Sequence, residues 1–267
     1  MQPTAPFGVF DSGVGGLSIL REIRRLLPAE DLLYLADTAH CPYGVKPLAE
    51  IRKRTLEVSG YLIELGAKMI VVACNSACAA GLDQIRAAYP AIPVIGVEPA
   101  VKPAHDRTRN GKIGVLATSL TLNGTKFSTL VEKYGSDVTV STQPAPGLVE
   151  LVEAGELDGP ETERLLRQYL DPLLAKGVDT IVLGCTHYPF LRPMMQKIVG
   201  SEVLVLDTGA AVARRTAQVL EERQMANQGP QAGSNSFYTS GDPETVGKVV
   251  RLLWQANAEV AMRKALV

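Results

Sequence analysis

The sequence has almost no net charge, no cluster of basic residues and few aromatic side chains. Lysine and arginine together number 27 against 28 aspartate and glutamate residues, which leaves a net charge of −1. No strong field therefore directs the chain onto nucleic acid or a membrane surface, and we expect neither as a partner. With 46% hydrophobic and 21% charged residues among 267, the composition is typical of a globular protein.

The sequence also lacks a long apolar run and a secretion signal. No stretch is long and apolar enough to span a bilayer, and the first residues, MQPTAPFGVF, have neither a basic start nor a long apolar core. These absences predict a cytoplasmic protein.

Cysteine is scarce, with only Cys41, Cys74, Cys78 and Cys185 in the chain. In a cytoplasmic protein of this size the thiols are expected to stay reduced. They are therefore packed thiols, metal ligands or catalysts. We expect Cys41 and Cys78 to be structural.

Short β-branched runs alternate with amphipathic segments along most of the chain. Between the runs, apolar residues recur at three- and four-residue steps, as in helices. The runs with strand character are FGVF, DLLYLA, KMIVVA, IPVIGV, KIGVLA, DVTV, DTIVLG and EVLVL. This alternation predicts an α/β fold of mostly parallel sheets flanked by helices.

Two pairs of segments repeat at nearly the same offset. Residues 8–12 resemble residues 114–118, and residues 71–76 resemble residues 182–187. An offset of roughly a hundred residues is the size of a small domain. The repeat therefore predicts two similar α/β domains.

The segment that contains Pro99 and Pro103 separates the two halves. We expect the first domain to comprise residues 1–98 and 208–267, with the C-terminal tail packing back onto it. The second domain would comprise residues 99–207.

Polar clusters follow five of the predicted strands, at the edge where parallel sheets bind ligands. They occupy residues 11–13, 37–44, 74–76, 117–119 and 185–187. If the two halves face each other, Cys74 and Cys185 would point into one cleft from opposite sides.

Both of these cysteines lie between an apolar strand and a helical segment, where the positive end of the helix dipole favours a thiolate. Asn75, Ser76 and Thr186 add side-chain donors beside backbone N–H groups, an arrangement that suits a carboxylate. Inversion of an amino-acid α-carbon needs a base on one face and an acid on the other. Two opposed thiols could supply both, and the pattern indicates a racemase without a cofactor.

Other interpretations of these residues stay open. Isolated cysteines are often packed core residues, and Asp11 and Asp37 could be ordinary helix caps. A zinc site could form from Cys74, Cys78, Cys185 and His187, although no CxxC pair is present. The glycines at 13–16 could bind a phosphate, but they lack the third glycine of GxGxxG and the lysine of a P-loop.

Four segments resemble the signature segments of the glutamate racemase family, in the family's order: GVFDSGVGGLSIL, YLADTAHCPYG, VVACNSACA and LGCTHYPFL. The tail FYTSGDPE is also similar to that family. The resemblance implies two pseudo-symmetric α/β domains with the active site in the cleft between them. It further implies interconversion of L- and D-glutamate without pyridoxal phosphate or metal, supply of D-glutamate to peptidoglycan synthesis, and a homodimer.

By motif position, the resemblance implies that Cys74 acts on D-glutamate and Cys185 on L-glutamate. Asp11 would assist Cys74, and His187 would assist Cys185. The residues expected to hold the substrate are Asp11, Ser12, Tyr43, Gly44, Asn75, Ser76, Thr186 and His187. Further assisting candidates are Asp37, Glu153 and Thr118.

The chain departs from the family at Ser76, where threonine is common, and at Ala145-Pro146, where Cys-Pro is frequent. One alternative function is an aspartate racemase, which would share both cysteines but typically has glutamate in place of His187. A second alternative is a two-lobed amino-acid-binding protein, in which two opposed thiols would serve no purpose.

Overall fold

The computed structural model describes residues 2–135, 137–254 and 261–265. Within them the strands form two parallel sheets flanked by helices, which confirms the predicted fold class. The eight predicted runs correspond to the first eight strands. In chain order the strands are β1 (Phe7–Asp11), β2 (Leu32–Ala36), β3 (Ile70–Val72), β4 (Val94–Gly96), β5 (Lys112–Ala117), β6 (Thr139–Pro144), β7 (Thr180–Leu183), β8 (Leu204–Leu206), β9 (Asn235–Thr239) and β10 (Met262–Lys264).

The helices show the expected apolar periodicity. In the first of them Leu17, Leu20 and Ile23 recur at three-residue steps and are fully buried. The helices are α1 (Leu17–Leu26), α2 (Leu48–Glu64), α3 (Asn75–Ala88), α4 (Val101–His105), α5 (Ser119–Leu122), α6 (Thr125–Tyr134), α7 (Leu148–Glu153), α8 (Pro160–Ala175), α9 (Arg192–Val199), α10 (Gly209–Glu222) and α11 (Pro243–Trp254). No helix in the described ranges has both the length and the apolar character that crossing a membrane requires.

The larger sheet has the strand order β10-β9-β2-β1-β3-β4, and the smaller sheet has the order β6-β5-β7-β8. All of their strand pairings are parallel. Every residue of β1 is buried, because helices cover both faces of such a sheet. The near-continuous apolar runs in the sequence have this physical origin.

The internal repeat is visible in the registers of the two sheets. The order β2-β1-β3-β4 in one sheet matches β6-β5-β7-β8 in the other. Gly8 is paired with Ile70 in the first sheet, and Gly114 is paired with Ile181 in the second. The segments that resemble each other in sequence therefore occupy equivalent registered positions.

In each of the edge strands β4 and β8, an arginine side chain binds a carbonyl on the open side of the strand. The Arg86 Nη2 donates a 3.2 Å hydrogen bond to the carbonyl of Val94 in β4. The guanidinium of Arg192 likewise binds the carbonyl of Val205 in β8. Since Val94 pairs with Ile70 and Val205 with Ile181, the two contacts are equivalent. Each occupies a carbonyl that would otherwise be open to another strand.

The strands of the larger sheet come from residues 7–96 and 235–264, and those of the smaller sheet from residues 112–206. Strand β9 pairs with β2 along its full length. The domain limits expected after residues 98 and 207 stay a prediction. Part of the expected first domain, residues 255–260 and 266–267, lies outside the described residues.

A buried ion pair lies just before β2 and β3, at the edge of the larger sheet opposite the carboxyl ends of its strands. The Lys68 Nζ lies 2.6 Å from Glu30 Oε2, and both side chains are almost completely buried. The other oxygen of Glu30 accepts a 2.7 Å hydrogen bond from the backbone N–H of Asn227. Both charges of the pair are thus compensated inside the protein.

Candidate active site

A cavity lies at the carboxyl ends of β1, β3, β5 and β7, which belong to both sheets. This is the edge at which open α/β sheets bind ligands. Ten of the thirteen predicted site residues line it, namely Ser12, Tyr43, Gly44, Cys74, Asn75, Ser76, Thr118, Cys185, Thr186 and His187. Asp11, Asp37 and Glu153 lie behind its wall and contact residues that line it.

Cys74 is the N-cap residue of α3, and its Sγ accepts a long hydrogen bond of 3.5 Å from the backbone N–H of Ala77. The same Sγ lies 3.8 Å from Ser12 Oγ. Burial, reinforced by the nearby charge of Asp11, raises the pKa of Cys74 well above its ordinary value despite the hydrogen bonds from Ala77 and Ser12. The N–H group at the start of α3 favours the thiolate, as expected, but burial outweighs this contribution and favours the thiol form of Cys74.

Asp11, the last residue of β1, links the ends of the two sheets. Its Oδ2 accepts a 2.6 Å hydrogen bond from Thr186 Oγ1, and its Oδ1 accepts from Ser12 Oγ and Gly13 N, each at 2.9 Å. Burial raises the pKa of Asp11 even though His187 and these hydrogen bonds oppose the shift. Nearby, Ser18 Oγ donates a 2.8 Å hydrogen bond to the carbonyl of Thr186.

His187 lies between a thiol and a carboxylate. Its Nδ1 is 3.7 Å from Cys185 Sγ, and its Nε2 is 2.6 Å from Glu153 Oε1. Burial lowers the pKa of His187, but hydrogen bonds with Cys185, Cys41 and Glu153 outweigh burial and raise this pKa well above its ordinary value. The favoured imidazolium donates a proton from each ring nitrogen.

The glycine-rich turn after β1 allows this histidine and Glu153 to approach the backbone. A Cβ at Gly13 would lie 1.9 Å from Glu153 Oε1, and one at Gly15 would lie 2.3 Å from His187 Nδ1. A side chain at either position would push Glu153 or His187 out of its place. In addition, the N–H of Val14 donates a 2.7 Å hydrogen bond to Glu153 Oε1. The turn that resembles a phosphate loop in sequence thus packs against two protein side chains.

Asp37 supports the cavity wall from behind. Its two oxygens accept hydrogen bonds from Arg54, at 2.7 Å from Nη2 and 3.1 Å from Nε, and Tyr43 OH donates at 2.5 Å. Burial raises the pKa of Asp37, but the hydrogen bonds from Arg54, Ser240 and Tyr43 lower it overall. Asp37 is therefore charged, and it fixes Tyr43 at the cavity.

Three polar side chains line the side of the cavity near α3 and α5. The hydroxyls of Ser76 and Thr118 lie 3.1 Å apart, and Thr118 caps α5 by accepting a hydrogen bond from Thr121 N at 3.3 Å. The Asn75 Nδ2 is buried without a hydrogen-bond partner among the described residues. An unpaired buried donor is destabilising, and an acceptor on a bound ligand would pair with it.

Sequence reasoning missed Arg54 and the position of Cys41 beside the site, while the structural role expected for Cys41 stays a prediction. Arg54 had a detectable signal: it lies on the buried side of α2 between Ile51 and Val58, where an arginine needs a partner. Cys41 had none, because its neighbours in space, Glu153 and His187, are remote in sequence.

The zinc site considered from the sequence does not assemble. Cys78 accepts a 3.2 Å hydrogen bond from the N–H of Val97 and lies 3.3 Å from the carbonyl of Val72, and it does not line the cavity. Within the described parts of the chain, the one group of metal-binding residue types is Cys41, Glu153 and His187. Cys78 is a packed thiol.

Comparison with protein families matches residues 8–216 to the Asp/Glu/hydantoin racemase family. Among characterised sequences, the chain is 52% identical over 256 residues to a glutamate racemase of Stutzerimonas stutzeri, covering 96% of both chains.

Solved structures show the same likeness. A glutamate racemase of Francisella tularensis in complex with D-glutamate is 29% identical, covers 98% of this chain and 97% of its own, and gives a TM-score of 0.85. A glutamate racemase of Escherichia coli, in complex with L-glutamate and the activator UDP-MurNAc-Ala, is 32% identical, covers 97% of both chains and also gives a TM-score of 0.85.

Proposed function

The chain belongs to the Asp/Glu/hydantoin racemase family, and on that premise we propose that it interconverts L-glutamate and D-glutamate. The observation that carries the proposal is one small cavity lined by two thiols, Cys74 and Cys185, with different acid–base neighbours. Relatives named glutamate racemase over nearly their full length favour glutamate over aspartate as the substrate.

In the proposed reaction the two thiols carry one proton between them. With L-glutamate bound, the thiolate of Cys185 removes the α-proton, and the thiol of Cys74 donates its proton to the opposite face of the carbanion. The products are D-glutamate, a Cys185 thiol and a Cys74 thiolate. The reverse transfer starts from D-glutamate. The raised pKa of Cys74 supports its role as the proton donor in the first direction.

Neighbouring groups stabilise the charged states. The imidazolium of His187, held by Glu153, stabilises the thiolate of Cys185. On the other side Ser12 lies beside Cys74 and is bonded to Asp11. The substrate carboxylates would be held by donors of the wall, among them Asn75 Nδ2, which is buried with no hydrogen-bond partner in the described part of the chain. These fixed donors stabilise the carbanion electrostatically, and the scheme needs no cofactor.

We further propose a cellular setting from the family resemblance. The protein would act in the cytoplasm as a homodimer and supply D-glutamate for peptidoglycan. Light scattering after size-exclusion chromatography tests the dimer, since a mass of a single 28.6 kDa chain would refute it.

The function is tested with purified protein in heavy water, after chelator treatment and without pyridoxal phosphate. We expect both enantiomers of glutamate to lose optical rotation and to gain deuterium at the α-carbon, and aspartate to stay unchanged. Cys74→Ser and Cys185→Ser should nearly abolish racemisation, whereas Cys78→Ser, outside the cavity, should keep most of it. Full activity of either active-site variant would exclude the two-thiol reaction.

A further inference from the structure

Three side chains of types that can bind a metal meet at the cavity wall. The ligand atoms of Cys41, Glu153 and His187 all lie within 4.8 Å of one another. They come from three separate segments: the loop after β2, the end of α7 and the segment after β7. The side chain of His187 is 2% exposed and that of Glu153 is 20% exposed.

The proposed racemisation uses Glu153 and His187 but gives Cys41 no part. Its thiol nevertheless lies over Gly13, where a Cβ would be 3.0 Å from Cys41 Sγ and 1.9 Å from Glu153 Oε1. The missing side chain at Gly13 therefore makes the space in which thiol and carboxylate face each other.

We propose that Cys41, Glu153 and His187 form a binding site for zinc or a similar thiol-binding divalent cation, and that occupation of this site inhibits the enzyme. A thiolate, an imidazole nitrogen and a carboxylate oxygen are typical zinc ligands, and three of them leave a fourth position for water. With zinc–ligand bonds of about 2.0–2.3 Å, tetrahedral ligand atoms lie roughly 3.3–3.8 Å apart. The three atoms, which now lie within 4.8 Å of one another, need only small side-chain movements to reach that separation.

Zinc binding would displace protons from the ligand atoms and change the contacts between them. It would separate His187 Nε2 from Glu153 Oε1, which now share a 2.6 Å hydrogen bond. Binding also releases the thiol proton of Cys41 and the Nε2 proton of His187 to solvent, because a thiolate and an unprotonated ring nitrogen are the ligands. The inhibition rests on the proposed function: zinc at Nε2 would take His187 away from Glu153, the contact that holds the opposite ring nitrogen 3.7 Å from Cys185 Sγ.

Cobalt(II) tests the site without reference to activity. Chelator-treated protein is titrated with Co²⁺, whose thiolate-to-metal absorption in the near ultraviolet reports a bound cysteine, and Zn²⁺ is then added as a competitor. We expect one equivalent to bind with this absorption. Cys41→Ala should lose the absorption. Its affinity for cobalt should fall by at least roughly 10–100-fold, which is the loss seen even when a residue that only hydrogen-bonds to a metal ligand is removed. The matched control is Cys78→Ala, which removes another buried thiol and should bind as the unmodified protein does.

Unchanged cobalt binding in Cys41→Ala would overturn the site and assign the metal to other thiols. For the inhibition, turnover is compared with and without Zn²⁺ in each protein. We expect Zn²⁺ to stop turnover of the unmodified protein and a chelator to restore it. In Cys41→Ala the ratio of turnover with Zn²⁺ to turnover without it should be close to one. Cobalt binding without any inhibition by Zn²⁺ refutes the regulatory role alone. A protein that binds cobalt but never racemises glutamate refutes the proposed function and leaves the site intact.

Discussion

Glu153 Oε1 lies 2.6 Å from His187 Nε2 and accepts a second hydrogen bond from the backbone N–H of Val14. One carboxylate oxygen thus fixes the ring to the turn after β1. The opposite ring nitrogen is thereby held 3.7 Å from Cys185 Sγ. Glu153 is a positioning residue that acts through the histidine.

Replacing this carboxylate tests the arrangement through pH dependence. Glu153→Gln keeps the size of the side chain and removes the charge that helps to raise the pKa of His187. The pKa of His187 should fall, so the loss of kcat on the alkaline side should begin at lower pH. We expect kcat to decrease by roughly 10²-fold and KM to change little. A pH profile that coincides with that of the unmodified protein would contradict this coupling.

Each thiol alone should still exchange one enantiomer. In Cys74→Ala the remaining Cys185 should remove and return the α-proton of L-glutamate, so this enantiomer takes up deuterium from heavy water without racemising. Cys185→Ala should exchange D-glutamate only. Proton NMR of the α-position measures both, and chiral chromatography checks that configuration is retained. Exchange of both enantiomers by either single-thiol variant would mean that one thiol reaches both faces.

Asn75 gives a prediction that separates binding from stability. Its Nδ2 has no partner within the described structure, so Asn75→Leu, which keeps the branching of the side chain, removes an unpaired donor. A hydrogen bond to a charged group contributes about 1.5–3 kcal/mol, and its loss should raise KM roughly 10–150-fold. The free energy of unfolding without substrate should decrease by less than about 1 kcal/mol, as measured by urea denaturation. A large loss of stability with an unchanged KM would show that the amide is structural.

The buried pair of Asp37 and Arg54 predicts a stability that depends on pH. Removing one partner of such a pair costs about 3–5 kcal/mol, so Asp37→Asn should be strongly destabilised at pH 7. Because the pKa of Asp37 is lowered in the folded protein, its contribution is present above the unfolded pKa of about 3.9 and is lost as the pH falls through the folded pKa. Urea denaturation from pH 7 down to pH 3 should therefore show the two proteins converging in stability.

A second buried pair supplies the matched control for this variant. Asp37→Asn also releases Tyr43 from a hydrogen bond, so KM should rise along with the loss of stability. Glu30→Gln disrupts the pair with Lys68, away from the cavity, and should lower stability while KM stays the same. Equal effects of the two variants on KM would indicate a general loosening of the fold.

Local sequence patterns predicted the sheets because buried parallel strands require apolar runs. The same patterns placed Cys74 and Cys185 correctly after β3 and β7, since a strand end is a local property. The two similar halves predicted from the repeat are seen in the equivalent pairings of Gly8 with Ile70 and of Gly114 with Ile181.

Side-chain contacts between distant segments were not predictable in this way. Arg54 reaches Asp37 from a different element, and Cys41 meets His187 from a loop. The raised pKa of Cys74 was not predictable for a related reason: the helix end is visible in the sequence, whereas complete burial beside Asp11 is a property of the fold.

The hydrogen bonds that cross between the two sheet ends have a consequence for timing. Thr186 holds Asp11 and Ser18, and Glu153 holds Val14. Any movement that admits a substrate by parting these strand ends breaks the same bonds that orient the acid–base groups. An opened cavity would therefore lack the contacts that orient Asp11 and Glu153, and these contacts would form again only on closure. Solvent and unrelated metabolites that enter the open cavity would then meet acid–base groups that are not in position to react.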